Sequence, residues 1–178
     1  MDANLKTIVW QQFGAAIDML ENALLQCPEP LWSDASRRPP FWYLVYHTLF
    51  WLDLYLSDSM EGFAPPAPFT LSELEPEMMP ERVYTKDELR AYLEHGRRKC
   101  RATLAALTEA KARERRQFVS VGGTTAEMLL YNLRHVQHHA AQLNLILRAV
   151  VDSAPGWVGK TRGPLEPTPR ISGEKGTP

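Results

Sequence analysis

Residues 41–57 read FWYLVYHTLFWLDLYLS, a helix-length stretch with apolar side chains on nearly every side of the wheel. A helix without a polar face is either the most buried element of its fold or one that also meets a partner subunit. It is too short to cross a bilayer, and no apolar run in the chain reaches transmembrane length. The rest of the chain must therefore surround it. Pro39-Pro40, suited to a first helical turn, sets its start, and the pattern fades at about Ser59.

Three further long segments have helical periodicity, and none reads as a strand. The first runs from about Asp2 to Gln26, where Leu5, Ile8, Val9, Ala16, Leu20, Ala23 and Leu24 recur at three- and four-residue steps. Pro28 and Pro30 end it. The third helix opens on Thr85-Lys86-Asp87-Glu88, a capping box, with Leu89, Leu93, Gly96, Cys100, Leu104 and Leu107 as its core stripe. A mid-helix glycine on that stripe permits close helix approach. The fourth opens on a second box, Thr124-Thr125-Ala126-Glu127, after Gly122-Gly123, and continues to about Asp152.

A long connection from Glu61 to Tyr84 carries Pro65, Pro66, Pro68, Pro76 and Pro80. Such loops often cover a site or cross over a domain. The pattern predicts an all-α four-helix bundle over residues 1–152, and the long crossover between helices 2 and 3 allows them to lie parallel. Residues 153–178 form a Pro/Gly-rich C-terminal tail whose composition marks it as mobile, with Trp157 the obvious anchor for any part that packs.

At 178 residues the chain has the size of one domain, and its net charge of −1 makes no global case for nucleic acid or an anionic membrane. The basic stretches around Arg97–Arg101 and Lys111–Arg116 have Glu94, Glu109 and Glu114 interleaved, as on a solvated helix face. Cys27 and Cys100 form no CxxC and read as small core residues in a reducing compartment. The opening MDANLKTIVW lacks a basic segment followed by an apolar one. The expectation is a soluble cytoplasmic protein.

The histidines carry the chemistry. On the fourth helix, positions 132, 135, 139, 142, 146 and 149 form one seam, so Asn132, His135, His139 and Gln142 place polar groups where the core should be. Buried polar groups cost about 1–3 kcal/mol each when left unpaired. His135 and His139, at i and i+4, have side-chain bases roughly 6 Å apart and can converge on one ion. His47 lies on the inward seam of the second helix, among Leu44, Trp51 and Leu54. Alone it reads as a satisfied core residue; with the pair it completes a three-histidine metal site.

Imidazoles suit zinc or nickel, with iron and copper compatible. Asn132 and Gln142 flank the pair as contacts to the ligands or to a substrate. His138 points about 100° from His139, toward the site's mouth or solvent. His95 reads as surface. No carboxylate shares the seam: Glu127 is two turns before His135 and Asp53 is off His47's seam. No strong protein base is expected, which favours a thiol ionised by the metal over hydrolysis. A metalloenzyme, a non-catalytic metal-binding or sensing bundle, and a metal-free interaction module whose histidines satisfy one another all remain open at this point.

Two segments carry a resemblance. TTAEMLLYNLRHVQHHAAQLN and RPPFWYLVYHTLFWLDLYL resemble the last and second helices of the DinB/YfiT-like superfamily of metal-dependent enzymes. The resemblance covers most of residues 1–152, with one departure: Ala141 stands where the family often has glycine. It implies an up-down-down-up bundle, commonly a homodimer, with nickel or zinc on His47, His135 and His139, and His138 non-ligating. It also implies a small-molecule substrate, in some members a low-molecular-weight thiol for S-transfer or isomerisation.

Overall fold

Both capping boxes start helices in the computed structural model, which describes residues 2–75 and 78–165. Thr85 Oγ1 and Thr124 Oγ1 accept the amides of Glu88 and Glu127, whose carboxylates accept the threonines' own amides at 2.8 and 2.7 Å. Each box satisfies amides that a helix N-terminus leaves unpaired.

The helices are α1 (Ala3–Gln26), α2 (Glu29–Trp32), α3 (Phe41–Tyr55), α4 (Lys86–Ala106), α5 (Glu109–Arg113) and α6 (Thr125–Val151). Four are long, as the periodicity requires, and α2 and α5 are single turns. The expectation of no strand is overturned by a small antiparallel hairpin, β1 (Arg115–Phe118) and β2 (Val121–Thr124), with Phe118 opposite Val121. Its turn falls at Val119-Ser120, with Val119 at a φ of 43°, while Gly122 and Gly123 lie inside β2. Four-residue strands, one of them half glycine, are too short to display alternation. The protein is otherwise all-α.

α1 packs against α4 and α6, and α3 packs against the same two helices. Lys6 at the start of α1 donates to the Ala105 carbonyl at the end of α4 (2.8 Å), and Lys86 at the start of α4 reaches the Cys27 carbonyl beyond α1. Gln137 on α6 meets Met19 on α1, and Gln26 meets Ser153 just past α6. Eleven of the fifteen residues of α3 are buried, so the all-round apolar helix is a central element. Phe13, Ile17 and Leu20 of α1, Leu93 and Leu104 of α4, and Val136 and Leu143 of α6 close the core around it. Gly96 is there for packing, since a methyl group at that position would lie 2.8 Å from Leu52 Cδ2. Cys27 and Cys100 are buried free thiols, and burial pushes Cys27 up to about 12.

One buried charge braces α3 against α4. Asp53, 1 % exposed, accepts from Lys99 Nζ (2.5 Å) and the Tyr92 hydroxyl (3.2 Å). His95, expected at the surface, has 38 % of its side chain exposed and lies 3.4 Å from the same carboxylate.

Where the tail is described it packs, but on a different anchor from the one expected. Residues 153–165 lie on α1 and α4: the Thr161 amide donates to the Gln11 carbonyl (3.0 Å), Trp10 Nε1 to the Gly163 carbonyl (2.7 Å), and Arg101 approaches the Leu165 carbonyl. The anchor is Thr161, 8 % exposed and seated on Gly14, whose missing side chain makes the room. Trp157 is 74 % exposed. Residues 166–178, the remainder of the expected tail, lie outside the described residues. No described helix is long and apolar enough to cross a membrane.

Candidate metal centre

The 3.6-residue repeat of α6 stacks His135 and His139 one turn apart, facing His47 across the α3–α6 interface. Ligand-capable nitrogens of all three lie within 4.8 Å of one another. Ring centroids are 4.5 Å apart for His135 and His139, 4.9 Å for His47 and His139, and 5.5 Å for His47 and His135. The structure thus brings together the three residues singled out as metal ligands.

Neighbours set the tautomers. His47 Nδ1 lies 2.6 Å from Glu73 Oε2, and His139 Nδ1 lies 2.6 Å from Gln142 Oε1. Both oxygens can only accept, so each Nδ1 carries a proton and each Nε2 is the nitrogen left to face the other rings. His135 Nδ1 is buried without a protein partner. Burial, helped by His139 and His47, pushes His135 down to about 3. Burial, partly opposed by the Gln142 hydrogen bond, pushes His139 down to about 4. Both rings are therefore neutral at pH 7, the form that binds a metal. Three converging imidazoles, with the His135 Nδ1 left orphaned, fit a divalent ion.

Glu73 is the residue that sequence reasoning missed. It sits on a single 3-10 turn, Ser72–Leu74, inside the long connection. Tyr46 pins that turn to α3 through the Thr70 carbonyl (2.9 Å) and the Ser72 hydroxyl (3.2 Å), and Phe69 stacks on Tyr92. The Glu73 side chain is 3 % exposed, and its Oε2 also accepts from Trp51 Nε1 at 3.0 Å. Burial raises its pKa, but hydrogen bonds from His47, Tyr43 and Trp51 outweigh that and hold it below the usual carboxylate range. Its Oε1 is buried and unpartnered. The seams do lack a carboxylate, yet one reaches His47 from the connection. The seam periodicity could not place this carboxylate, because Glu73 comes from the connection and not from a helix. Its one sequence signal was a helix-like Leu-Ser-Glu-Leu among prolines.

The other singled-out residues divide. Gln142 contacts His139 directly. Asn132 is fully buried and donates to the Leu52 carbonyl of α3 (3.0 Å), with its Oδ1 unpaired. His138 is exposed, its ring 5.1 Å from His139, and stays outside the triad.

Residues 9–143 match the family model of the DinB superfamily. The chain belongs to the DinB superfamily. No curated protein and no solved structure matches it. The matched span runs from α1 into α6 and includes His47, Glu73, His135, His139 and Gln142. It stops before the last turns of α6 and the tail.

Three clefts open onto the triad of this DinB chain. One of about 520 Å³ is lined by Arg37, Arg38, Tyr43, His47, His139 and Gln142 among others. A second, about 410 Å³, runs past His47, Trp51, Glu73 and Glu75, and a third, about 510 Å³, past Tyr131, Arg134, His135 and His138. Two larger clefts, about 690 and 620 Å³, lie away from the histidines, under the tail and between α4 and the hairpin. The triad is therefore reachable from several sides, although much of each ring is buried.

Proposed function

We propose that this DinB protein binds a zinc or nickel ion through His47, His135 and His139 and is a metal-dependent enzyme, a transferase or hydrolase acting on a small-molecule thiol or on water. The observation that carries the reading is the convergence of three imidazoles with the outer nitrogens of two already fixed by Glu73 and Gln142. Such an ion supplies Lewis acidity that lowers the pKa of a thiol or water.

The chain's own residues supply the rest. Glu73 and Gln142 hold His47 and His139 in the tautomer that presents Nε2 inward, as carboxylate and amide partners do for metal-binding histidines. Tyr43, held by burial and by Glu73 as a neutral phenol, stands between two clefts as a hydrogen-bond donor. The clefts favour an enzyme over a non-catalytic metal-binding or sensing bundle, which needs no approach of substrate size.

The same reading includes a four-helix bundle in the up-down-down-up arrangement. Supporting it, the start of α1 meets the end of α4, and the ends of α1 and α6 meet. Asp53 and Tyr46 of α3 lie beside Lys99 and Tyr84, at and before α4, in rising order. His47 and Tyr55 face His139 and Tyr131 in falling order. A homodimer belongs to the proposal too, and exposed Leu130 on α6 is apolar surface that a second copy could cover.

The test is an assay of zinc- and nickel-loaded protein with a panel of low-molecular-weight thiols and an electrophilic acceptor. Turnover that His135→Ala abolishes supports the thiol reading; no turnover with any thiol by the loaded protein overturns it.

A further inference from the structure

The cleft shared by His47 and His139 has a second wall that the metal reading does not use. Arg37 and Arg38 line it, beside Pro39, Leu44, Leu145 and Ile146. No carboxylate lines it. Neither guanidinium makes an ion pair with any described residue. Asp34, three residues before Arg37, is near enough to feel its charge, but its carboxylate is hydrogen-bonded by the Ser36 hydroxyl and amide at 2.6 and 3.0 Å and forms no ion pair with Arg37. Arg37 Nε is moreover buried without an acceptor, and a guanidinium cannot relieve that cost by losing its proton. On the other side of His47 the cleft is acidic, with Glu73 and Glu75. The two approaches to the triad thus differ in sign. Pro39-Pro40 and the start of α3 hold the arginine pair within three turns of His47, and the forked guanidinium suits a planar oxyanion.

We infer that the arginine-lined cleft is a substrate-binding site for a small carboxylate, whose anionic group lies on Arg37 and Arg38 and whose apolar body lies against Leu44, Leu145 and Ile146, with its reactive end toward His139. This deepens the proposed metal site and rests on it for the reaction, though not for binding. The charge of the cleft selects the anion, and the apolar residues exclude a substrate that is polar throughout.

The experiment measures binding of 3-phenylpropionate and of its uncharged amide to zinc-loaded protein by calorimetry, with zinc content determined in parallel. The carboxylate is expected to bind the wild type about tenfold more tightly than the amide, the range of a charge-assisted hydrogen bond. In Arg37→Gln/Arg38→Gln that preference falls below about twofold with zinc content unchanged. Arg38→Gln alone, at an exposed position, reduces it partway even if the double variant does not fold. Arg148→Gln, at an exposed arginine of α6 that does not line this cleft, keeps the preference. A wild type that does not discriminate between the two probes, or a double variant that still does, overturns the inference. Absence of zinc from a wild type that does discriminate overturns the metal reading and leaves the anion site standing.

Discussion

Glu73 Oε2 lies 2.6 Å from His47 Nδ1, so a carboxylate from the long connection fixes the proton and the orientation of an imidazole on α3. The connection is held by Tyr46 and Phe69, and the helix interface holds the ring. Removing the carboxylate should therefore loosen the metal without unfolding the chain. Glu73→Ala is expected to weaken zinc or nickel affinity about 10–100-fold, measured by competition with a chromogenic chelator. Gln142→Ala, which removes the acceptor for His139, should act in the same direction. Unchanged affinity in both variants would remove these residues from the site.

Lys99 is the only described residue that brings a permanent positive charge to the buried Asp53. Lys99→Met leaves that carboxylate in the α3–α4 interface with Tyr92 and His95 alone. A loss of about 3–5 kcal/mol is expected in urea unfolding, since breaking a buried pair strands a charge. Asp53→Asn/Lys99→Met should recover part of it. A loss below about 1 kcal/mol, the range of an exposed pair, would show that solvent reaches Asp53.

The start of α4 gives a pH dependence of known sign. The Arg82 guanidinium, with the Thr85 amide and hydroxyl, holds Glu88 at about 2, below its ordinary 4.5. A depressed carboxyl contributes stability above the unfolded value and loses it as pH falls through the folded one. Wild type should thus exceed Glu88→Gln by about 1 kcal/mol near neutral pH. That gap should close between pH 4.5 and about 2 in thermal unfolding. A gap independent of pH would mean that the carboxylate's charge is not what stabilises the cap.

Gly14 and Thr161 make a close packing pair between α1 and the chain beyond α6. Gly14→Ala should displace residues 153–165 and speed tryptic cleavage at Lys160 and Arg162, with a stability loss of about 1–3 kcal/mol. Adding Thr161→Gly should relieve the clash. Cleavage as slow as in wild type would show that the segment is held elsewhere.

What could be read from sequence follows from what has a period. His135 and His139 were legible because α6 repeats every 3.6 residues and a polar pair on an apolar seam stands out. His47 was legible by the same rule, and both threonine–glutamate boxes because they are local. Glu73 lies in a proline-rich connection without periodicity, so its position depends on tertiary contacts of Phe69 and Tyr46. The hairpin was lost because Gly122 and Gly123 resemble a loop, although they extend as β2. Trp157 was expected to anchor the tail by size, whereas a small residue fitting onto Gly14 does so.

The most direct measurement is elemental analysis of protein purified under metal-replete conditions, beside His47→Ala and His139→Ala of unchanged helical content. The account predicts one zinc or nickel ion per wild-type chain and loss of that ion in both variants. A wild type without metal, or variants that retain it in full, would contradict it.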